Sequence, residues 1–293
     1  MEFLTIWDVR VTIDLFLGGV GIGAFLWSVI AGYRNREADR AIVRVGALLA
    51  PVAVGLGLAV LMTKLGRPQN LVMVATGGNM ESMMYLGMIL QGVFMLVALL
   101  YAWHLWMRPL RNKLVTSGVV LSGVVLALAV GLYHGLLLSG LARPLWSDMV
   151  PITFFVSSMI TGLAAILLFK ALVYRQDVEN TGFLRFAIAL LAVQFMAVVV
   201  WKYLAVRSGL EALLSYQFLM AQFGGWWWLS LIAGIVLPAV LMATALLKKT
   251  PFKFNRGLLT TAAVLILVGA FGFKHLIVLG GQIAVPIQIL SGF

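Results

Sequence analysis

Eight stretches of this sequence are long and apolar enough to cross a bilayer, and they leave little chain for anything else. A spanning helix needs about 20 predominantly apolar residues to cross roughly 30 Å of hydrocarbon. The stretches are Val9–Tyr33, Ala41–Thr63, Ser82–Met107, Val115–Leu138, Met149–Val173, Leu184–Val206, Trp226–Leu247 and Leu258–Gln282. The longest connections are 64–81 and 207–225. Composition removes the soluble alternatives: 62% of the residues are hydrophobic and 11% charged, where soluble domains carry about 25% charged residues. The expected fold is an all-α polytopic membrane protein, one transmembrane domain over 1–293, built from eight helices as two packed four-helix bundles. A soluble enzyme, a disordered chain and a disulfide-stapled secreted domain are excluded. The opening MEFLTIWDVR lacks the basic start of a cleaved signal and reads as the approach to a membrane helix.

The net charge of +11 would point to nucleic acid in a soluble chain. Here the basic residues collect in the gaps between apolar runs, so no nucleic-acid partner is expected. One set of alternate loops and adjoining helix ends holds Arg34, Arg36, Arg40 and Arg44, then Arg108, Arg111 and Lys113, then Lys170, Arg175 and Arg185, then Lys248, Lys249, Lys253 and Arg256. The positive-inside rule puts that set in the cytoplasm and both termini outside, in a bacterial or archaeal inner membrane.

Two gaps share a theme. KLGRPQN follows the second stretch and SGLARPLWSD the fourth, placing Arg67-Pro68 and Arg143-Pro144 at equivalent outward ends. This hints at two related units, about 1–148 and 149–293, although repeated turn chemistry produces the same pattern. Within the first stretch, LFLGGVGIGAF sets Gly19 and Gly23 four apart on one helix face. Gly55, Gly57, Gly118 and Gly123 offer similar openings. Small residues let helix backbones approach in lipid, where no hydrophobic force drives them together. They also make room for a flat ligand beside the backbone, and glycine alone does not separate the two uses.

Ionisable residues inside apolar runs carry the functional argument, because a charge in hydrocarbon needs a partner, a cavity or a task. Asp14 lies inside the first helix, with Arg10 four residues before it and able to share its face. The carboxylate either pairs with Arg10 or serves as a proton acceptor for a bound ligand. Tyr133 and His134 adjoin in GLYHGLLLSG, near the outward end of the fourth helix. Each serves as an interhelical polar contact or as part of a site. Lys274, in AFGFKHLIVLGG, lies too deep for a surface residue. It pairs with a carboxylate such as Asp14 or Glu81, or belongs to a pocket or proton path. Glu81 and Asp148, at helix starts, are expected to be structural. The chain has no Cys, which removes any iron–sulfur cluster held by its own thiolates. Its three histidines sit at different depths, so no haem is expected either.

The ordered combination of DLFLGGVGIGAF, LGRP after the second helix, and YHGLLLSGLARPLWSDMVPITFFVSSMITGLA over 133–164 resembles the NrfD/PsrC family of respiratory membrane subunits. The family includes polysulfide reductase and relatives acting on thiosulfate, tetrathionate, sulfite or arsenate. The resemblance implies a quinone-binding anchor, for menaquinone or ubiquinone, that usually lacks haem. It implies two partners: a four-cluster ferredoxin-like iron–sulfur subunit and a molybdopterin-type catalytic subunit that holds the terminal-substrate site. It places the quinone pocket near the outward side, with Asp14 and Tyr133 at the matching positions; Asp14 stands where the polysulfide reductase pattern has a histidine. Gly19, Arg67, Pro68, Pro144 and Trp146 match framework positions. The expected proton-handling residues are therefore Asp14, Tyr133 and His134, with Arg10, Gly19 and Lys274 completing the binding set. The alternative is an ion- or proton-translocating, transporter-like subunit, for which Lys274 is the main argument.

The topology is testable because any introduced cysteine is the only one. Labelling after Arg40 should report a cytoplasmic position and labelling after Arg143 an external one. The reverse pattern inverts the orientation and moves the expected pocket to the other side.

Overall fold

The computed structural model describes residues 2–3, 7–34, 36–65, 82–107, 112–174, 181–247 and 252–285. It is all-α apart from a two-residue ladder, and eight of its helical spans are long and apolar enough to cross a membrane. These are α1 (Val9–Arg34), α2 (Arg40–Met62), α3 (Met83–Trp106), α4 (Lys113–Ser139), α5 (Val150–Phe169), α6 (Thr181–Arg207), α7 (Leu210–Leu247) and α8 (Phe252–Gly280). Glu2 and Phe3 pair antiparallel with Ala284 and Ile283, so the segments that flank α1 and α8 meet. Gln282 clamps the same place: its Oε1 accepts the Trp7 amide at 2.7 Å and its Nε2 donates to the Trp7 carbonyl at 3.0 Å.

Two hydrophobic cores share α1. One joins Phe25 of α1, Val54 of α2, Phe94 of α3 and Val130 of α4. The other lies mainly among α5–α8, around Phe154, Trp201, Trp227 and Phe273, and takes in Leu15 and Trp27 of α1. α1 and α5 are the two most buried spans, and they cross at small residues. Gly23 meets the Ser158 carbonyl and Gly162, and Gly162 in turn meets the backbone of Gly23 and Ala24. Gly19 and Gly23 thus face Ser158 and Gly162, two four-residue spacings in contact, as expected for close helix approach in lipid. Of the other glycines with this expectation, Gly57 meets Asp14 and Gly123 meets the Phe25 ring. Gly55 finds only Met95 at an ordinary 3.6 Å, and Gly118 faces open space, so neither mediates a close crossing.

The 207–225 connection is the main departure from the sequence expectation. Only Ser208 and Gly209 separate α6 from α7, and α7 starts at Leu210 rather than Trp226. Its first turns bury Ala212, Ser215 and Leu219 at helical spacing, which anchors a segment whose polar residues read as a loop. It is not one straight rod: the backbone at Phe223 leaves helical geometry and divides it into a short first helix and the longer apolar segment that follows. The helix breaks locally at Phe223, before Gly224-Gly225, and opens into a π-turn over Ile232–Val236, just ahead of Pro238. Proline removes an amide donor from the ladder, and the wider turn absorbs the mismatch. The sequence expectations for Arg67, Pro68 and Glu81 fall outside the described residues.

The α1–α5 crossing yields a stability prediction. Gly23→Leu drives a side chain into the Ser158 carbonyl, and backbone does not swing aside as a flexible side chain does. The cost should be at least the ~1–3 kcal/mol of core overpacking. Gly92→Ala, where an added Cβ meets nothing within 4 Å, should be neutral or slightly stabilising. Thermal unfolding of the two variants in detergent checks the contrast.

Candidate functional site

Asp14 is buried one turn and a half into α1, on the side of the body where the Glu2–Phe3 and Ile283–Ala284 strands pair. Its expected partner Arg10 turns away. Arg10 donates through Nε and Nη2 to Asp8 Oδ2 at 2.8 and 2.6 Å, and through Nη1 to the Thr63 carbonyl at 3.2 Å. Asp8 also accepts the Arg10 backbone amide, at 3.0 Å. The pairing of Arg10 with Asp14 is thereby corrected: a carboxylate two residues upstream, outside the helix, meets the guanidinium with no burial of charge. The hydrogen bonds from Arg10 hold the Asp8 carboxyl below its ordinary range. Asp14 keeps a buried Oδ1 with no hydrogen-bond partner.

Three helices supply the surroundings of Asp14. On α2, Gly57 lies against it, with room for no side chain; an added Cβ would stand 3.0 Å from Oδ1. On α3, the buried amide of Gln91 sits beside the carboxylate, close enough to act as a hydrogen-bond donor. On α4, His134 is fully buried, and its Nε2 is 2.7 Å from Gln91 Nε2. The imidazole rests on Gly18, one turn along α1 from Asp14. Its Nδ1 has no partner.

Tyr133 lies tilted beside His134, with ring centroids 6.2 Å apart. Its hydroxyl donates to the Met83 carbonyl at 2.7 Å and fills the space over Gly87. The phenol proton is therefore committed, and the oxygen retains only acceptor capacity.

Lys274 comes from α8 to the other side of the same turn of α1. It is fully buried, and its Nζ donates to the Leu15 carbonyl at 3.0 Å and to Ser158 Oγ at 3.5 Å. The Phe154 ring lies 5.2 Å from the ammonium. Gly19 makes this seat: a Cβ there would be 2.6 Å from Nζ and 2.5 Å from Ser158 Oγ. The expected ion pair of Lys274 with Asp14 does not form among the described residues. The two side chains instead lie at adjacent residues of α1, Lys274 on the Leu15 carbonyl.

Asp14, Tyr133 and His134 are brought together, Lys274 joins from behind α1, and Arg10 stays outside. The space beside Gly19 is occupied by Lys274 and Ser158. The sequence reading missed Gln91, the buried amide in contact with His134. It also missed Thr12, whose Oγ1 is 3.0 Å from His275 Nδ1. A separate small cavity of about 20 Å³, room for about one water, lies among α5–α8, lined by Ser157, Gln194, Ser230 and Phe273. Gln194 Oε1 is buried there without a partner. Among the described residues, no cluster of three or more His, Cys, Asp or Glu could hold a metal ion. Trp146, expected in the framework, donates from Nε1 to the Ile277 carbonyl at 2.8 Å and fits against Gly281.

The sequence is similar to known membrane proteins over nearly its whole length. The family model described as "Polysulphide reductase, NrfD" matches residues 1–286. The C subunit of the polysulfide reductase of Wolinella succinogenes is 26% identical, over 94% of each sequence. A protein NrfD homolog of Haemophilus influenzae is 23% identical, over 96% of this chain and 95% of its own. Protein NrfD of Escherichia coli is 28% identical over 60% of this chain and 63% of its own. With nearly the whole length matched, the chain belongs to the NrfD polysulfide-reductase family of membrane proteins.

Proposed function

We propose that the chain is the quinone-binding membrane anchor of a respiratory oxidoreductase complex. It exchanges electrons between the membrane quinone pool, menaquinone or ubiquinone, and an iron–sulfur partner, which serves a molybdopterin-type catalytic subunit acting on a sulfur compound or arsenate. The observation that carries this reading is the buried Asp14 carboxylate with its free Oδ1, grouped with His134 and Tyr133 near one membrane face. A quinol supplies two electrons and two protons when it is oxidised. The residues suit that donor chemically: Asp14 accepts only while ionised, His134 Nδ1 is uncommitted, and the Tyr133 oxygen still accepts.

Asp14 holds the proton-accepting role at Oδ1, where no protein donor competes. Tyr133 orients a hydroxyl by accepting from it while anchored on Met83. Lys274 supplies positive charge beside the carboxylate without neutralising it by direct contact. The chain has no thiolate to bind a cluster, so the electron acceptor belongs to a partner. The positive-inside distribution supports an outward, periplasmic position for the site and for both chain ends in a bacterial or archaeal cytoplasmic membrane.

A second reading, an ion- or proton-translocating subunit, draws on the interrupted α7 beside the polar cavity at Gln194 and Ser230. Broken helices and buried polar groups at mid-membrane depth are features of transporters. Quinone-independent ion flux in liposomes would favour it.

The quinone reading is tested in the purified complex, with quinol-linked and artificial-donor activities measured side by side. Asp14→Asn removes the proton acceptor and should lower quinol-linked turnover by about 10²–10⁴-fold. Tyr133→Phe removes one hydrogen bond, worth about 1 kcal/mol or a fewfold effect. Artificial-donor activity should stay intact in both. Full quinol turnover in Asp14→Asn overturns the assignment, and equal loss of both activities signals failed assembly.

A further inference from the structure

The cavity among α5–α8 takes no part in the roles assigned to Asp14, Tyr133 and His134. Its volume of about 20 Å³ exceeds the roughly 10–15 Å³ that one water needs. Three of the helices around it each contribute a buried polar residue: Ser157 from α5, Gln194 from α6 and Ser230 from α7. The space exists because the α7–α8 wall carries no side chain that could fill it. Gly234 of α7 and Gly269 of α8 are in backbone contact, and a Cβ on Gly234 would stand 2.7 Å from the Gly269 Cα. At that crossing α7 opens into the π-turn Ile232–Val236, which includes Gly234.

Gln194 is only 4% exposed, and its Oε1 has no hydrogen-bond partner in the protein. A buried amide oxygen left without a donor is costly, and buried polar side chains are as a rule satisfied by protein or by ordered water. An apolar void of this size would stay dry; a void with an acceptor and hydroxyls on its wall does not. The amide oxygen only accepts, while each serine hydroxyl can donate or accept. A water has two hydrogens and two lone pairs. It can give one hydrogen to Gln194 Oε1 and still meet both hydroxyls, which lies within the two to four polar partners a buried water takes. Among the described residues, no charged side chain lines the cavity, so the wall offers a neutral guest its hydrogen bonds and offers a cation no counter-charge.

We propose that this cavity is an internal water site, in which one ordered water donates to Gln194 Oε1 and hydrogen-bonds the hydroxyls of Ser157 and Ser230. The water bridges α5, α6 and α7 beside the π-turn, where the glycine crossing leaves no side chain to do so. A bridging water is nearly as good as a direct hydrogen bond and needs no closer approach of the helices. The site is independent of the quinone reading. It gives the polar cavity a fixed neutral occupant in place of a passing ion.

The test uses the full chain in bilayers. Solid-state NMR reads magnetisation transfer from water protons to the Gln194 side-chain amide, assigned by the resonance lost in Gln194→Met. The natural chain should show a cross-peak from a long-lived water to that amide and to the backbone amides of Gly234 and Gly269. The Gln194 resonance should be the same in sodium and in choline buffer, since choline is too large to enter. Gln194→Met, of similar volume and without the amide oxygen, should lose the water cross-peaks to Gly234 and Gly269. No water cross-peak in the natural chain overturns the site, and a Gln194 shift on replacing sodium assigns the cavity to a cation and overturns it too. Cross-peaks that survive unchanged in Gln194→Met overturn the role of Gln194 Oε1. The two measurements on the natural chain decide the occupant even where the variant fails to assemble.

Discussion

The contact between α1 and α5 at Gly19, Gly23, Ser158 and Gly162 sets the geometry on which the rest depends. Without side chains between them, the two helices approach until backbone meets backbone. That spacing admits the Lys274 ammonium between α8 and α1, where the Leu15 carbonyl and the Ser158 hydroxyl solvate it. A Cβ on Gly19 alone would fill the seat. The placement of the Lys274 amine on the residue next to Asp14 therefore follows from a packing motif, with no ion pair required to hold it. In lipid, where side-chain burial gives no net drive between helices, backbone approach and polar contacts are the forces left to use.

The polar groups near Asp14 follow the same rule. Asp14 sits against Gly57, His134 against Gly18, and Tyr133 against Gly87. Each buried polar side chain occupies the gap left by a missing side chain on the facing helix. These glycines are thus neither simple packing residues nor the floor of an open slot; they are the sockets of these buried polar side chains. Seats made of backbone hold their occupants in place, because helical backbone in a packed bundle has little freedom to yield.

The eight helices were legible because uninterrupted apolar runs of membrane length have few other meanings. Asp14, His134 and Lys274 were legible because an ionisable group inside such a run demands a reason. What escaped was partner choice. Arg10 and Asp14 have the spacing of a helical ion pair, yet Asp8 is nearer and lies outside the helix, so the exposed pair forms and the buried one does not. Gln91 escaped because an uncharged amide in MILQGVFM raises no alarm. Its signal was the cost of burying an unpaired amide, which requires a polar partner at the same depth on another helix. The start of α7 escaped because Glu211 and Gly224-Gly225 resemble a loop, while the apolar face that anchors Leu210–Phe223 is visible only against its neighbours.

Lys274 and Asp14 lie on adjacent residues' faces of α1 without touching, and that separation has a chemical consequence. A direct buried ion pair would satisfy the carboxylate and remove it from proton chemistry. A cation held on a neutral carbonyl, a hydroxyl and an aromatic face instead leaves the carboxylate oxygen free while still contributing its field. The arrangement leaves a buried carboxylate oxygen without a protein partner beside a lysine whose hydrogen bonds are made elsewhere.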